Sequence, residues 1–469
     1  MIGREKELSI IEDKFNSNKF EFLVMYGRRR VGKTTILNEI AKKHNAIFFS
    51  AQEKNDELNL EDFSRAIENH YDKKYFATFK SWQNALDYIT ERLSGKKRTL
   101  LIIDEFPFIA FQNPSIKSIF QHTIDHQWKD RNIFLILCGS SVSFMENEVM
   151  GYKSPLYGRM TSSIEVKPFD YFDGIKFFPD YSIEDKIISY GILGGIPRYL
   201  CAFDSKKSVK QNIIENIIRK SEFLNDEPQT LLRMELREPA IYNSILNAIA
   251  GGCNKISEIA DRVHEEKTKI SKYMLTLQNL RLVEKVIPCG ESSESKKAIY
   301  KIKDFFYSFW YRFIFSNENY FTMLDEELAC EEIYEQINDF MGLNFEEICK
   351  QFLIRMAKNK KLPFIPFEIG KWWGNNPILK AQDDVDILAL DRTKTKAIFC
   401  ECKFRNKKMP LEEFDDLLTA SKIFDSIEEK TFIFISKSGF EKSVIKQAKK
   451  CEDEGIKCML MTLEDLVSV

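Results

Sequence analysis

The sequence predicts an α/β multidomain chain, with a parallel sheet in its first third and a second α/β region at its C-terminal end. Two observations carry this. Over residues 1–165 short apolar runs alternate with amphipathic stretches, the pattern of buried parallel strands covered by helices. Over residues 331–469 the order is helix, strands, helix, strand. A chain of 469 residues also has room for about two to four domains.

The first region contains four strand candidates: Phe22-Leu23-Val24-Met25-Tyr26, Ala46-Ile47-Phe48-Phe49, Leu100-Leu101-Ile102-Ile103 and Ile133-Phe134-Leu135-Ile136-Leu137. Each is short, apolar and bounded by polar or turn residues. Residues 166–235 read as mostly helical, interrupted by Gly194-Gly195-Ile196-Pro197. Residues 236–303 give short helical patterns and then an alternating pair of segments around Gly290. Residues 304–330 open with the aromatic run Phe305 to Phe313, expected to be a buried connector helix.

Composition narrows the classes. Hydrophobic residues at 44% and charged residues at 30% exclude a disordered chain. A net charge of −2 excludes a globally basic nucleic-acid binder but not a local basic surface. No apolar run reaches the length of a membrane span, and Met1 to Glu7 lacks the apolar core of a signal peptide, so no membrane association is expected. Ten cysteines without a CxxC pair read as free thiols, which places the chain in a reducing cytoplasm.

Gly27-Arg28-Arg29-Arg30-Val31-Gly32-Lys33-Thr34 fits G-x-x-x-x-G-K-[ST], follows an apolar strand and opens a helix that continues through Thr35. Its backbone amides and helix N-terminus suit phosphate. Lys33 is expected on the β- and γ-phosphates of ATP and Thr34 on Mg²⁺. The three arginines make a phosphate-attracting loop. Leu100 to Ile103 ends in Asp104-Glu105, which puts Asp104 beside the metal at the carboxyl edge of the sheet and Glu105 where a base polarises water. Ser140, after the next strand, is either a γ-phosphate sensor or part of an ordinary turn. Arg159 is either a charge-stabilising arginine, acting within the chain or on a neighbouring copy, or half of a surface ion pair.

Ile2-Gly3-Arg4-Glu5, the P-loop, Asp104-Glu105-Phe106, Gly139-Ser140-Ser141, Pro155 to Arg159 and Gly194 to Pro197 resemble the archaeal-type ATPases of the AAA/STAND-related P-loop group. The resemblance covers roughly residues 1–300. It implies that Arg4 and Pro197 lie near the nucleotide, with Pro197 in a helical lid.

In the middle, Ile256 to Ala260 and Thr268 to Leu280 read as two helices, the second with Ile270, Tyr273, Met274, Leu277 and Leu280 on one face. Leu282 to Ile287 and Ala298 to Ile302 would make a wing hairpin, giving a winged helix-turn-helix. Lys269 and Lys272 near the start of the second helix are candidates for DNA contact. Nearby Asp261, Glu265 and Glu266 leave a protein-packing role equally open.

In the last region Asp386 enters an apolar strand, and the next strand carries Glu401 and Lys403 on one face with Cys400 and Cys402 on the other. Buried acids and a lysine are costly unless paired or metal-bound. Asp386 and Glu401, with Glu346 from an upstream helix, are candidate Mg²⁺ ligands, and Lys403 a candidate for orienting water or stabilising phosphorane charge. Asp383 and Asp384 are close enough to replace Asp386. Trp372 and Trp373 either stack on bases or pack beside the strand. On Gly370-Lys371-Trp372-Trp373 and Glu401-Cys402-Lys403 this region resembles the PD-(D/E)XK nuclease superfamily, an α/β restriction-endonuclease-like domain, and also the uncharacterised domain that commonly follows such ATPases.

The full expectation is a P-loop NTPase core (1–165), a helical lid (166–235), a winged helix-turn-helix (236–303), a connector helix (304–330) and a nuclease-like domain (331–469). ATP and Mg²⁺ are the expected cofactors and DNA the expected partner. The nucleotide state would gate a Mg²⁺-dependent nuclease. The rivals are a nucleotide-operated switch whose C-terminal fold no longer cuts, and a regulator acting through the winged helix.

Overall fold

The computed structural model describes residues 1–71, 77–93, 97–321, 323 and 325–468. The chain forms two compact units. The first is Met1–Pro168 together with Ile196–Arg198, and the second is Phe169–Gly195 with Tyr199–Val469. Most of the expected lid, the helix-hairpin segment, the connector and the C-terminal region fall in the second unit. The tripeptide Ile196–Arg198 groups instead with the P-loop.

In the first unit β1 (Glu21–Tyr26), β2 (Ile47–Ser50), β3 (Thr99–Asp104), β4 (Ile133–Gly139) and β5 (Ser162–Glu165) form one sheet in the order β2-β3-β4-β1-β5. All its pairings are parallel. Every residue of β4 is buried, which is why that strand reads as an unbroken apolar run. The edge strand β5 is Ser-Ser-Ile-Glu with Ile164 alone buried, so it carries no apolar signal. Helices such as Asp56–His70 and Trp82–Glu91 bury Phe63, Ile67, Leu86 and Ile89 against the sheet core. With β4 between β1 and β3, the carboxyl ends that carry the P-loop, Ser140 and Asp104 lie side by side.

In the second unit helices Pro239–Ala250, Ile256–Val263 and Lys267–Asn279 precede an antiparallel hairpin of β6 (Val283–Val286) and β7 (Ile299–Ile302). The second of these helices ends at His264, in the left-handed region, and the third buries Ile270, Met274 and Leu277. The aromatic segment follows as helix Phe305–Phe309 and a wider turn Trp310–Ile314. Trp310 Nε1 donates to the Asn225 carbonyl (2.7 Å) and the Tyr311 hydroxyl bonds Asn243 (2.5 Å), so its polar tips are satisfied inside the core.

The C-terminal sheet has the order β12-β11-β10-β9-β8, from β8 (Glu368–Asn376), β9 (Ala381–Leu390), β10 (Lys396–Lys403), β11 (Glu429–Ser436) and β12 (Lys457–Met461). β8, β9 and β10 run antiparallel, whereas β11 and β12 join in parallel through helices Leu411–Ser421 and Lys442–Asp453. The 22-residue helix Ile337–Lys358 precedes the sheet and carries Glu346. Among the described residues no helix is long and apolar enough to cross a membrane.

Candidate functional site

Two glycines make the P-loop possible. Gly27 has φ +152°, and a Cβ there would stand 2.3 Å from the Val166 carbonyl oxygen. Gly32, the cap of helix Lys33–His44, has φ +93°. The Lys33 side chain is buried, and its ammonium donates to the Gly27 and Arg28 carbonyls (2.9 Å each). Thr34 and Thr35 are exposed at the loop mouth. The Thr34 hydroxyl donates to Asp104 Oδ2 (2.7 Å), and the other Asp104 oxygen accepts the Glu105 N–H (3.0 Å). Thr34 and Asp104, oxygen donors already in contact across the two motifs, suit a hard cation such as Mg²⁺.

Glu105 has φ +52°, a left-handed conformation uncommon for a side chain of its size. The turn returns its carboxylate across the sheet edge, where Oε2 accepts both the Ser140 N–H (3.1 Å) and the Ser140 hydroxyl (2.9 Å). Arg4 is buried and donates to the Val31 carbonyl (2.8 Å), the Lys167 carbonyl (2.9 Å) and Glu7 (3.0 Å). It holds the P-loop by its backbone. Pro197 also lies against the loop, its Cγ 3.9 Å from a Cβ placed on Gly32. Arg28 is buried, and Arg29 and Arg30 are partly exposed, Arg30 with φ +70°. Arg159 grips Asp125 with two bonds (2.8 and 2.6 Å) and donates to the Pro155 and Tyr157 carbonyls. It therefore sits in the ion-pair arrangement of its two sequence-level alternatives.

The C-terminal cluster forms where two strands part. β9 and β10 are paired from Leu390 and Ala397 to Ile387 and Cys400. One step further, the Cys402 N–H is taken by the Asp386 carboxylate (2.9 Å). Lys403 pairs with Glu401 and lies 3.6 Å from Asp386 Oδ2. Glu346 reaches the same place from its helix, but through Lys371. The Lys371 ammonium stands 2.9 Å from Glu346, 3.1 Å from Asp384 and 3.5 Å from Asp386. Of the alternative acids, Asp384 is thus in the cluster, while Asp383 bonds Asn376 (2.7 Å) in the β8–β9 ribbon.

The electrostatics follow from four carboxylates, Glu346, Asp384, Asp386 and Glu401, facing two ammoniums. Burial and then the neighbouring Asp386 push Glu346 up to about 8, and the same two causes push Glu401 up to about 8. Burial works against the charge on Lys371 and Lys403, but the acids outweigh it and both are raised.

Asp386, Glu401 and Glu346, the expected ligand set, thus meet at one place with Lys371 and Lys403 between them. Among the described residues no group of three or more acidic, His or Cys side chains stands ready to hold a metal ion. The oxygen donors are of the kind Mg²⁺ prefers, yet ammoniums stand among them. From the sequence, Lys371 stands out only within Gly370-Lys371-Trp372-Trp373, with no role among the acids. It lies at a β-bulge between Gly370 and Trp372, and a bulge re-aims a side chain in a way that strand alternation does not reveal.

On the helix expected to meet DNA, Lys269 is paired with Glu265 (2.8 Å) and Lys272 is exposed. Trp372 stacks edge-on to Phe424 with centroids 5.1 Å apart, which is the packing alternative.

Fold and loop together define a P-loop ATPase. Residues 1–203 match an ATPase domain found predominantly in Archaea, and residues 310–414 match a domain of archaeal and bacterial proteins of unknown function. An uncharacterised protein of Methanocaldococcus jannaschii is 33% identical over 470 residues, covering 99% of each chain, and this chain belongs to the same family of archaeal-type ATPases. An ATP-binding protein of the same organism is 45% identical over 38 residues, 8% of this chain and 64% of that one. Among solved structures, a Walker-type ATPase of Pyrococcus abyssi is similar with a TM-score of 0.51 and 21% identity, over 66% of this chain and 96% of that one. That likeness is one of fold.

Proposed function

We propose that the chain binds and hydrolyses ATP with Mg²⁺ and uses its nucleotide state to gate a nuclease-like centre acting on DNA. Lys33 neutralises phosphate charge, and the loop amides orient the phosphates. Thr34 and Asp104 would hold the Mg²⁺, which neutralises charge on the phosphates when bound. Glu105 accepts the proton of the attacking water and turns it in line, and Ser140 holds Glu105. The observation that carries the ATPase half is the pair of contacts Thr34–Asp104 and Glu105–Ser140, which join three adjacent strand ends.

The nuclease half is supported by the convergence of Asp386, Glu401 and Lys403 where β9 and β10 part. Lys403 supplies positive charge for a phosphorane, and Glu401 beside it can take a proton from water. Ile196–Arg198 groups with the P-loop while the residues on both sides belong to the other unit, which supports coupling through this segment by differential stabilisation of two states. Arg159 would need to release Asp125 before it could reach a phosphate on a neighbouring copy. The test is cleavage of labelled DNAs in Mg²⁺ or Mn²⁺, with and without ATP. Cutting that is equal with ATP, with ADP and without nucleotide removes the gating. No cutting on any substrate, with ATP turnover intact, leaves a nucleotide-operated switch.

A further inference from the structure

The β6–β7 hairpin is fastened onto the C-terminal sheet at the acidic centre. The Cys289 N–H donates to the Lys371 carbonyl (2.9 Å), the Gly290 N–H to Glu368 (3.0 Å) and the Lys394 ammonium to the Gly290 carbonyl (3.0 Å). Further along, Lys301 of β7 pairs with Glu284 of β6 (3.0 Å) and reaches Glu347 of the long helix (4.0 Å). Cys289 is buried with Val385 and Leu388 in the core of that sheet.

This fastening leaves a cleft of about 690 Å³ between the hairpin and the β8–β9 ribbon. One wall carries Lys255, Lys296 and Lys297, of which Lys297 pairs with Glu291 (2.5 Å) and Lys255 lies 3.8 Å from Glu258, and the other carries Trp373 and Asn375 with Asp383 and Asp384. Lys371 lines the cleft and also belongs to the acidic cluster, so cleft and centre share a wall. The volume lies within the roughly 300–1,000 Å³ of small-ligand sites, which suits one or two nucleotides. Lysines along one side with an aromatic platform opposite are what a single strand requires: charge for the backbone and a π-face for a base. Trp372 is spent on Phe424, whereas Trp373 lines the cleft.

We propose that this cleft binds a single DNA strand and leads it to the acidic centre, with Lys255, Lys296 and Lys297 on the phosphodiesters and Trp373 beneath a base. The proposal rests on the nuclease-like reading of that centre, and it moves the nucleic-acid contact away from Lys269 and Lys272.

The test is fluorescence anisotropy of the full-length protein with a fluorescein-labelled single-stranded oligonucleotide in EDTA, where nothing is cut. Lys296→Glu with Lys297→Glu should weaken binding by about tenfold or more and lower the salt slope by about 2. Trp373→Ala should weaken it by about fivefold or more, and Lys269→Ala with Lys272→Ala by less than about twofold. An unchanged circular-dichroism spectrum and thermal melt show that the variants, all in the second unit, are folded. Wild-type affinity in both cleft variants, no binding by the wild type, or a duplex bound as tightly as the single strand would overturn the proposal. Cutting is read separately in Mg²⁺. A protein that binds through the cleft but does not cut refutes the nuclease reading alone. One that cuts but ignores the cleft variants refutes the cleft alone.

Discussion

The Glu105 carboxylate is held by both polar groups of Ser140, the backbone N–H at 3.1 Å and the hydroxyl at 2.9 Å, through a single oxygen, Oε2. Glu105 therefore has one oxygen committed to the sheet edge and one available for water. Glu105→Gln keeps these contacts but removes the base. Its turnover should fall about 10²- to 10⁴-fold with ATP affinity kept within about threefold, read by steady-state hydrolysis and nucleotide titration. Wild-type turnover would remove Glu105 from the chemistry.

Ser140→Ala removes one of the two bonds and leaves the other. A hydrogen bond to a charged group contributes about 1.5–3 kcal/mol, so kcat should fall about tenfold or more while KM moves little. An effect on KM alone would mean that Ser140 contacts bound ATP rather than positioning Glu105.

Arg4 joins two carbonyls distant in sequence, Val31 in the P-loop and Lys167 beyond β5. Arg4→Ala leaves both without this donor, at a cost of about 1–3 kcal/mol for each carbonyl left unsatisfied. A lower thermal midpoint and weaker nucleotide binding should appear together, and bound ATP should recover part of the loss. A variant that melts like wild type would show the clamp to be dispensable.

Lys371 keeps Glu346, Asp384 and Asp386 together. Lys371→Ala should destabilise the second unit by about 2 kcal/mol in EDTA, since a largely buried charge cluster loses a partner, discounted for its partial exposure. Because the freed carboxylates attract divalent cations, Mn²⁺ should raise the melting temperature of the variant more than that of wild type. Equal shifts in the two proteins would mean that the cluster takes no metal.

How much of this was legible depends on the length of the signal. Gly27 to Thr34 is contiguous, with its strand before and helix after, so the ATP site could be read directly. Asp104 and Glu105 could be read because an apolar strand ends on them. The edge strand β5 was not legible, for its Ser-Ser-Ile-Glu buries one residue. The role of Arg4 was not legible as a clamp, because its partner Lys167 is 163 residues away. In the C-terminal region, alternation placed Glu401 and Lys403 together, but the bulge that brings Lys371 among the acids has no sequence signature. The hairpin was visible as a pattern, whereas its attachment to Lys371 through backbone groups involves no side chain that a sequence could advertise.

The most direct test compares cleavage of a labelled DNA panel by wild type, Asp386→Asn and Lys33→Ala, in Mg²⁺ with and without ATP. Asp386→Asn keeps a side-chain oxygen for the Cys402 N–H, so it separates charge from folding. Cutting by wild type that disappears in Asp386→Asn and no longer responds to ATP in Lys33→Ala is the expected result. Cutting that persists in Asp386→Asn, or that ignores ATP in the wild type, would contradict an ATP-gated nuclease centre.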